Sequence, residues 1–199
     1  MWEERYSKSE DYLFGEAPAQ MLVENPWIFR NANTCLCAAD GEGRNGVWLA
    51  SRGLTVTSFD LSRTAVARAD ALAAKSGVDV ETHVSDWNTW DWSRSFDIVV
   101  AVFVQFVGPE ERKAQFETLR QAVRPGGRLA LHGYTPDQIK FGTGGPPFPE
   151  NMYTSALLSN AFSDWHMLRL AAYEREVQEG RGHSGQSALI DLVVQRPDN

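Results

Sequence analysis

Apolar residues along this chain gather into short runs, and their spacing predicts alternating strands and helices. The apolar run Cys35-Leu36-Cys37-Ala38 marks a first strand over about 33–38. Arg44 to Arg52 places Val47, Trp48, Leu49 and Ala50 at helical spacing, with Gly53 as the C-terminal stop. Leu54 to Phe59 reads as a second strand. Ser62 is positioned to cap an alanine-rich helix that runs through Lys75 and ends at Ser76-Gly77. Val78 to Val84 gives a third strand. Phe96 to Val104 is apolar almost throughout, as expected of a central parallel strand covered on both faces. Pro109 to Val123 repeats apolar residues at Phe116, Leu119 and Val123, and the acids Glu110 and Glu111 suit the positive end of a helix. Arg124-Pro125-Gly126-Gly127 ends that helix before a fifth strand over Arg128 to His132.

Strand and helix alternating at such short spacing predict an α/β fold, a doubly wound and mostly parallel sheet with helices on both faces. Beyond it, Phe141 to Pro149 is too rich in Gly and Pro for regular structure and reads as a surface loop. A helix over about 154–162 and strands near 166–177 and 187–195 complete the pattern, the last two as an antiparallel C-terminal hairpin. Residues 1–30 differ in kind. Trp2, Tyr6, Tyr12, Phe14, Trp27 and Phe29 are spread among polar residues and broken by Pro18 and Pro26, which suggests a cap or lid over the core. Neither repeats nor a linker divides the 199 residues, so one domain over 1–199 is expected.

Composition narrows the function more than the fold. A chain this long removes roughly 70% of its unfolded surface from water and needs no staples. The formal net charge of -7 argues against a broad nucleic-acid or anionic-membrane footprint, which needs clustered Lys and Arg. No apolar stretch reaches the eighteen residues of a membrane span, and no leader pattern opens the chain, so a cytoplasmic protein acting on a small molecule is expected. Cys35 and Cys37, the only cysteines, alternate onto one face of the first strand and are read as buried, inert thiols. Oligomeric state is open.

The chemistry concentrates where strands end. Gly41 and Gly43 follow strand one, where a chain without Cβ atoms can turn sharply and approach a bound molecule. Asp60 ends strand two about 20 residues on, where a carboxylate can accept hydrogen bonds from ribose hydroxyls. Counted from Gly41, Gly46 completes the glycine pattern of a nicotinamide-dinucleotide site, so an NAD-dependent oxidoreductase stays open at this point. Against it, no Tyr-x-x-x-Lys or similar catalytic pair is present. Asp86 follows strand three beside Trp87, suited to an adenine amino group and the ring face. The same Asp86-Trp87-Asn88 also suits an ordinary turn.

With a glycine turn, an acid after strand two, an acid after strand three and a Pro-Gly-Gly turn before strand five, in that order, the chain resembles the class I S-adenosylmethionine-dependent methyltransferases. Gly41-Glu42-Gly43-Arg44-Asn45 with Val47-Trp48-Leu49-Ala50, and the tail Glu179-Gly180-x-Gly182-His183-x-Gly185, look like the tellurite-resistance and thiopurine methyltransferase-like branch. The resemblance spans about residues 1–196. It implies a Rossmann-like methyltransferase fold that takes S-adenosylmethionine and releases S-adenosylhomocysteine, with a small-molecule thiol or other soft nucleophile as acceptor. The cofactor-binding positions it implies are Ala39, Gly41, Gly43, Asn45, Asp60, Leu61, Asp86, Trp87, Val102 and Phe103. His183 is the titratable candidate for a catalytic base, or alternatively a residue that holds its Gly-rich turn. Gln105, Phe106, His132, Tyr134 and Tyr153 are further positions expected near the crevice or acceptor. Two residues depart from the family pattern, Cys37 where an acid usually ends strand one and Ala39 where a glycine usually stands, with Asp40 or Glu42 available as substitutes for the acid. These departures keep a non-catalytic adenosyl-cofactor-binding protein as the alternative.

Overall fold

The computed structural model describes residues 2–8 and 10–198. The described residues form parallel and antiparallel strands flanked by helices, the α/β class the alternation predicts. By contact density the chain divides into two compact units, Met1–Asp91 with Glu179–Gly182, and Trp92–Gln178 with His183–Asn199.

The first unit contains α1 (Trp2–Ser7), α2 (Gln20–Glu24), a 3-10 turn (Pro26–Phe29), β1 (Thr34–Ala38), α3 (Arg44–Ser51), β2 (Thr55–Asp60), α4 (Arg63–Ser76) and β3 (Val80–Val84). Its strands lie in the order β3-β2-β1, all parallel. Ala38 pairs with Phe59 and Asp60 with Val84, so the three C-terminal ends finish on one rim. β1 is buried from Cys35 to Ala38, and both thiols are enclosed. A hydrogen bond with Cys35 and burial push the Cys37 thiol well above its ordinary range.

α4 shows how the local chemistry sets element ends. The Ser62 hydroxyl accepts the Ala65 N–H at 3.1 Å, and Ala65, Val66, Ala69, Leu72 and Ala73 turn one apolar face inward. At the other end Gly77 takes φ +67°, and the N–H groups of Gly77 and Val78 donate to the carbonyls of Ala74 and Ala73. Val78 therefore closes the helix, and β3 begins two residues later than its apolar pattern suggests.

The second unit contains β4 (Phe96–Val102), α5 (Pro109–Ala122), β5 (Val123–Tyr134), 3-10 turns at Pro136–Lys140 and Pro149–Asn151, α6 (Ser155–Ala161), β6 (His166–Glu179) and β7 (His183–Gln195). The order is β4-β5-β7-β6, with β4 parallel to β5 and β7 antiparallel to it. β5 is longer than expected. Phe96 pairs with Val123 and Ile98 with Arg128, so the Arg124-Pro125-Gly126-Gly127 segment is a bulge inside the strand rather than a break before it. A Cβ on Gly127 would meet the Asp97 carbonyl oxygen at 2.8 Å, which explains a glycine there. β6 and β7 also outrun their expected limits, because the glycine-rich stretch after Glu179 contributes only a short turn. Among the described residues, no helix is long and apolar enough to cross a membrane.

Candidate functional site

The turn after β1 is built from backbone the chain seldom adopts. Ala39, Gly41 and Gly43 take φ values of +50°, +61° and +82°. The Asp40 N–H donates to the Phe59 carbonyl at 3.1 Å, and the Gly43 N–H to the Asp40 carbonyl at 3.2 Å, which holds the turn against the end of β2. Gly41 then donates its N–H to Asp60 Oδ2 at 2.9 Å, while Ser62 N–H donates to Oδ1 at 2.9 Å. The glycine turn and the strand-two acid thus meet directly. Burial pushes the Asp60 carboxyl above the usual carboxylate range, against the pull of these two donors.

Each glycine of the turn makes room for another part of the protein. A Cβ on Gly41 would lie 2.5 Å from the Tyr6 hydroxyl, one on Gly43 would collide with Ala69 of α4, and one on Gly46 would lie 2.8 Å from Asp40 Oδ2. Packing against Tyr6 of α1 and Ala69 of α4 therefore also demands glycine at positions 41 and 43. Tyr6 is buried, and desolvation together with the charges of Asp60, Glu42 and Asp40 pushes its phenol far up. Its ring gathers with Trp2 at 5.9 Å and Phe14 at 6.3 Å, so the N-terminal aromatics close over the turn. Tyr12 instead packs on Val47, Leu72 and Ala73 and donates its hydroxyl to the Arg68 carbonyl.

The polar side chains of the motif reach to the same N-terminal segment. Glu42 accepts the Leu13 N–H at 2.7 Å and pairs with Arg68 at 2.6 Å. Arg44 bonds the Ala17 carbonyl and pairs with Glu179 at 2.7 Å. Asn45, expected on the cofactor, uses its amide within the protein: Oδ1 accepts the Ala19 N–H and Nδ2 donates to Asp40 Oδ1. The Glu179–Gly182 turn packs on this segment as well, since a Cβ on Gly182 would strike the Phe14 ring and Gly182 N–H donates to the Leu13 carbonyl. Asp40 Oδ2 accepts the Gly46 N–H at 2.9 Å, and desolvation pushes this carboxyl up to about 6. The anchoring roles of Glu42, Arg44 and Glu179 are new to the structure. Their one signal in the sequence is that charged side chains flank glycines that must pack closely.

On the same rim, the Asp60 carbonyl accepts the Ser85 N–H, which brings the residues after β3 alongside. Asp86 Oδ1 accepts the N–H groups of Asn88 and Thr89 at 2.7 and 3.0 Å, so the carboxylate caps its own turn. The Trp87 ring stands edge-on to Phe59 at 6.0 Å, and Trp90 stacks on Phe59 at 4.6 Å. Leu61 is 56% exposed directly after Asp60.

In the second unit, Val102 ends β4 and Phe103 turns away at φ +57°, its N–H donating to the His132 carbonyl at 2.8 Å. The Phe103 ring packs on His183 at 4.2 Å, Tyr134 at 4.6 Å and His132 at 4.9 Å. Gln105 is buried, and its amide bonds the Tyr134 N–H and carbonyl. Tyr153 is likewise enclosed, against Phe116 and the Arg112 guanidinium. Phe106 is 42% exposed.

The residues of the first unit suit an adenosyl cofactor chemically. Asp60 accepts two backbone donors, half of what a carboxylate can take, so acceptor capacity remains for a ribose diol. Three carboxylates, Asp40, Glu42 and Asp60, gather at one turn and suit a cationic sulfonium.

Residues 36–127 match a methyltransferase domain family. No curated protein sequence matches the chain. Among solved structures, the chain is similar to a protein studied for the conversion of a disulfide bond into a thioacetal group during echinomycin biosynthesis, at 19% identity and TM-score 0.81, covering 100% of this chain and 91% of that one. It is similar to TehB from Haemophilus influenzae at 19% identity and TM-score 0.74, covering 98% and 67%. It is also similar to magnesium protoporphyrin IX methyltransferase from Synechocystis, solved with bound S-adenosylhomocysteine, at 18% identity and TM-score 0.66, covering 89% and 78%. At these identities the likeness is one of fold. The glycine turn and both rim carboxylates fall inside the stretch that matches the methyltransferase domain family.

Proposed function

We propose that this chain transfers a methyl group from S-adenosylmethionine to a small-molecule acceptor with a soft nucleophilic atom, sulfur foremost, in the tellurite-resistance and thiopurine methyltransferase-like branch. The observation that carries the reading is the direct bond between the Gly41 N–H and the Asp60 carboxylate on one sheet rim. The acceptor class draws on the motifs of the sequence and on the sulfur chemistry named for one structural neighbour.

S-adenosylmethionine supplies a methyl group on a positively charged sulfur, open to direct displacement. Asp60 is proposed to hold the ribose diol, and the turn from Ala39 to Gly43 to present its backbone to the amino-acid end. Asp40, through its side chain, orders the Asn45 and Gly46 end of that turn in place of the acid usually found at position 37. Leu61, Asp86 and Trp87 are proposed for the adenine, with Trp87 covering the ring face and Asp86 using acceptor capacity beyond its turn. Val102 and Phe103, at the end of β4, are proposed as ligand-binding positions because ligands of open parallel sheets gather at strand C-termini. Tyr6 and its aromatic neighbours exclude water from the turn, which favours displacement over hydrolysis. His183 is proposed on the acceptor side through its contact with Phe103.

Turnover tests this reading. The full chain, given S-adenosylmethionine and a panel of small thiols, is expected to release S-adenosylhomocysteine with at least one of them. Binding of the cofactor with no turnover on thiols, selenols or phenols would return the chain to a non-catalytic binding role.

A further inference from the structure

The Tyr6 hydroxyl is left over from the hydrogen bonding of the glycine turn. α1 carries its ring, which packs on Trp2 and Phe14, and the residue is 4% exposed. The hydroxyl is aimed at Gly41, 2.5 Å from where a Cβ on that glycine would stand. Asp60 is the carboxylate that acts on it most, ahead of Glu42 and Asp40. Among the described residues it makes no hydrogen bond, and unlike the Tyr153 hydroxyl it is not sealed from solvent. All the residues around it belong to the first unit.

A phenol in these surroundings is a donor. Desolvation, followed by the charges of Asp60, Glu42 and Asp40, pushes its ionisation far up, so it keeps its proton at neutral pH. Other side-chain donors around the turn are used inside the protein. Arg44 donates to the Ala17 carbonyl and to Glu179, Asn45 to Asp40, Ser62 to Glu3, and Tyr12 to the Arg68 carbonyl. Ionised carboxylates such as Glu42 and Asp60 only accept. The reading above sets the amino-acid end of the ligand against the turn from Ala39 to Gly43, whose middle residue is Gly41. An amino acid there meets acceptors for its ammonium group and, in Tyr6, an uncommitted O–H for its carboxylate.

We propose that Tyr6 selects for the amino-acid carboxylate of the S-adenosyl ligand, its hydroxyl donating to one carboxylate oxygen. The inference rests on the proposed cofactor site and adds to it a contact made by α1, apart from the strand ends. Tyr6 is thereby a specificity-determining residue: it separates ligands that carry the carboxylate from adenosyl compounds that lack it. Its part is in binding, and no covalent bond changes at the hydroxyl.

Calorimetry on the full chain tests this with two ligands that differ in one group. S-adenosylhomocysteine is compared with its decarboxylated analogue S-adenosyl-3-thiopropylamine, which keeps the adenosyl group, the sulfur and the amine. Tyr6→Phe keeps the ring and removes the hydroxyl. It should weaken S-adenosylhomocysteine about 10- to 100-fold, as for a hydrogen bond to a charged group, and leave the amine analogue within about 2-fold. Equal loss for both ligands would mean that Tyr6 only packs over the turn, and no loss for either that its hydroxyl touches no ligand; each result overturns the proposal. Phe14→Leu, which disturbs the same aromatic group and spares the hydroxyl, should move both ligands together, and a selective loss of S-adenosylhomocysteine there also overturns it. Should Tyr6→Phe lose cooperative thermal unfolding, the wild type decides: S-adenosylhomocysteine must bind at least about 10-fold more tightly than the amine analogue, and equal affinities overturn the proposal. If the wild-type chain binds neither ligand, the cofactor reading itself fails; if it binds both and Tyr6→Phe leaves their ratio unmoved, only the role of Tyr6 fails.

Discussion

Ala39 and Asp40 show what single residues cost and contribute at this turn. A left-handed backbone costs an L-residue roughly 1–2 kcal/mol, and Ala39 sits there at φ +50°. Ala39→Gly removes that strain but loosens the unfolded chain by about 0.4–1 kcal/mol, so urea unfolding should find stability between unchanged and raised by about 1.5 kcal/mol. A loss above about 1 kcal/mol would show that the turn does not hold Ala39 in this conformation. Asp40 makes a prediction about pH. Its native carboxyl, pushed up to about 6 from 3.8, binds more proton than the unfolded chain between those values, so its contribution to stability falls as pH rises from 4 toward 7. Unfolding of the wild type and Asp40→Asn across that range should show the wild type losing ground with rising pH; a constant difference would contradict the assignment. Gly41, Gly43 and Asp60 were legible from spacing alone, because strand ends fix where such residues must lie. The partners of Glu42, Arg44 and Asn45 were not, since their bonds run to a segment whose path no local pattern encodes. Asp191 left a readable sign, a lone charge within Leu189-Ile190-Asp191-Leu192, but its partners sit on two other strands.

Among the elements, the N-terminal segment is the one held by chemistry rather than by its own propensity. α1 has only six residues, too few to persist alone, and Glu3 fastens it to the start of α4 by accepting from the Ser62 and Thr64 hydroxyls at 2.6 and 2.5 Å. Those bonds, Ser62 first, lower the Glu3 carboxyl to about 2. Glu42 fastens the next stretch through Leu13 and Arg68. Glu42→Ala should cost about 2 kcal/mol, because it strands a half-buried N–H and an arginine together, and should speed amide exchange at Leu13 before the strands open. Exchange at Leu13 unchanged from wild type would mean that packing of Phe14 and Tyr12 holds the segment without Glu42. Most helices and parallel strands could be placed from sequence to within two residues, because caps and buried runs are local signals. The exceptions have a common cause: the bulge in β5 and the reach of β6 and β7 depend on pairing with neighbours, and β6 alternates exposed polar residues with few buried ones.

At the scale of the whole molecule, the mixed sheet gathers the glycine turn, Asp60 and the Asp86–Trp87 turn onto one rim of the first unit, and the His132–Asp191 pair onto neighbouring strands of the second. A chain with net charge of -7 and a carboxylate cluster at its glycine turn is suited to a cationic small molecule rather than to a polyanion. Calorimetric titration of the full chain reads whether Asp60 and the Gly41 turn hold the ribose of S-adenosylmethionine, as proposed above. S-adenosylhomocysteine should bind one to one to the wild type, Asp60→Ala should weaken that binding by about 1–3 kcal/mol, and NAD should give no heat of binding. Equal affinity in wild type and Asp60→Ala would mean that Asp60 does not hold the ribose, and saturable binding of NAD in place of the adenosyl ligand would mean that the site is built for a dinucleotide.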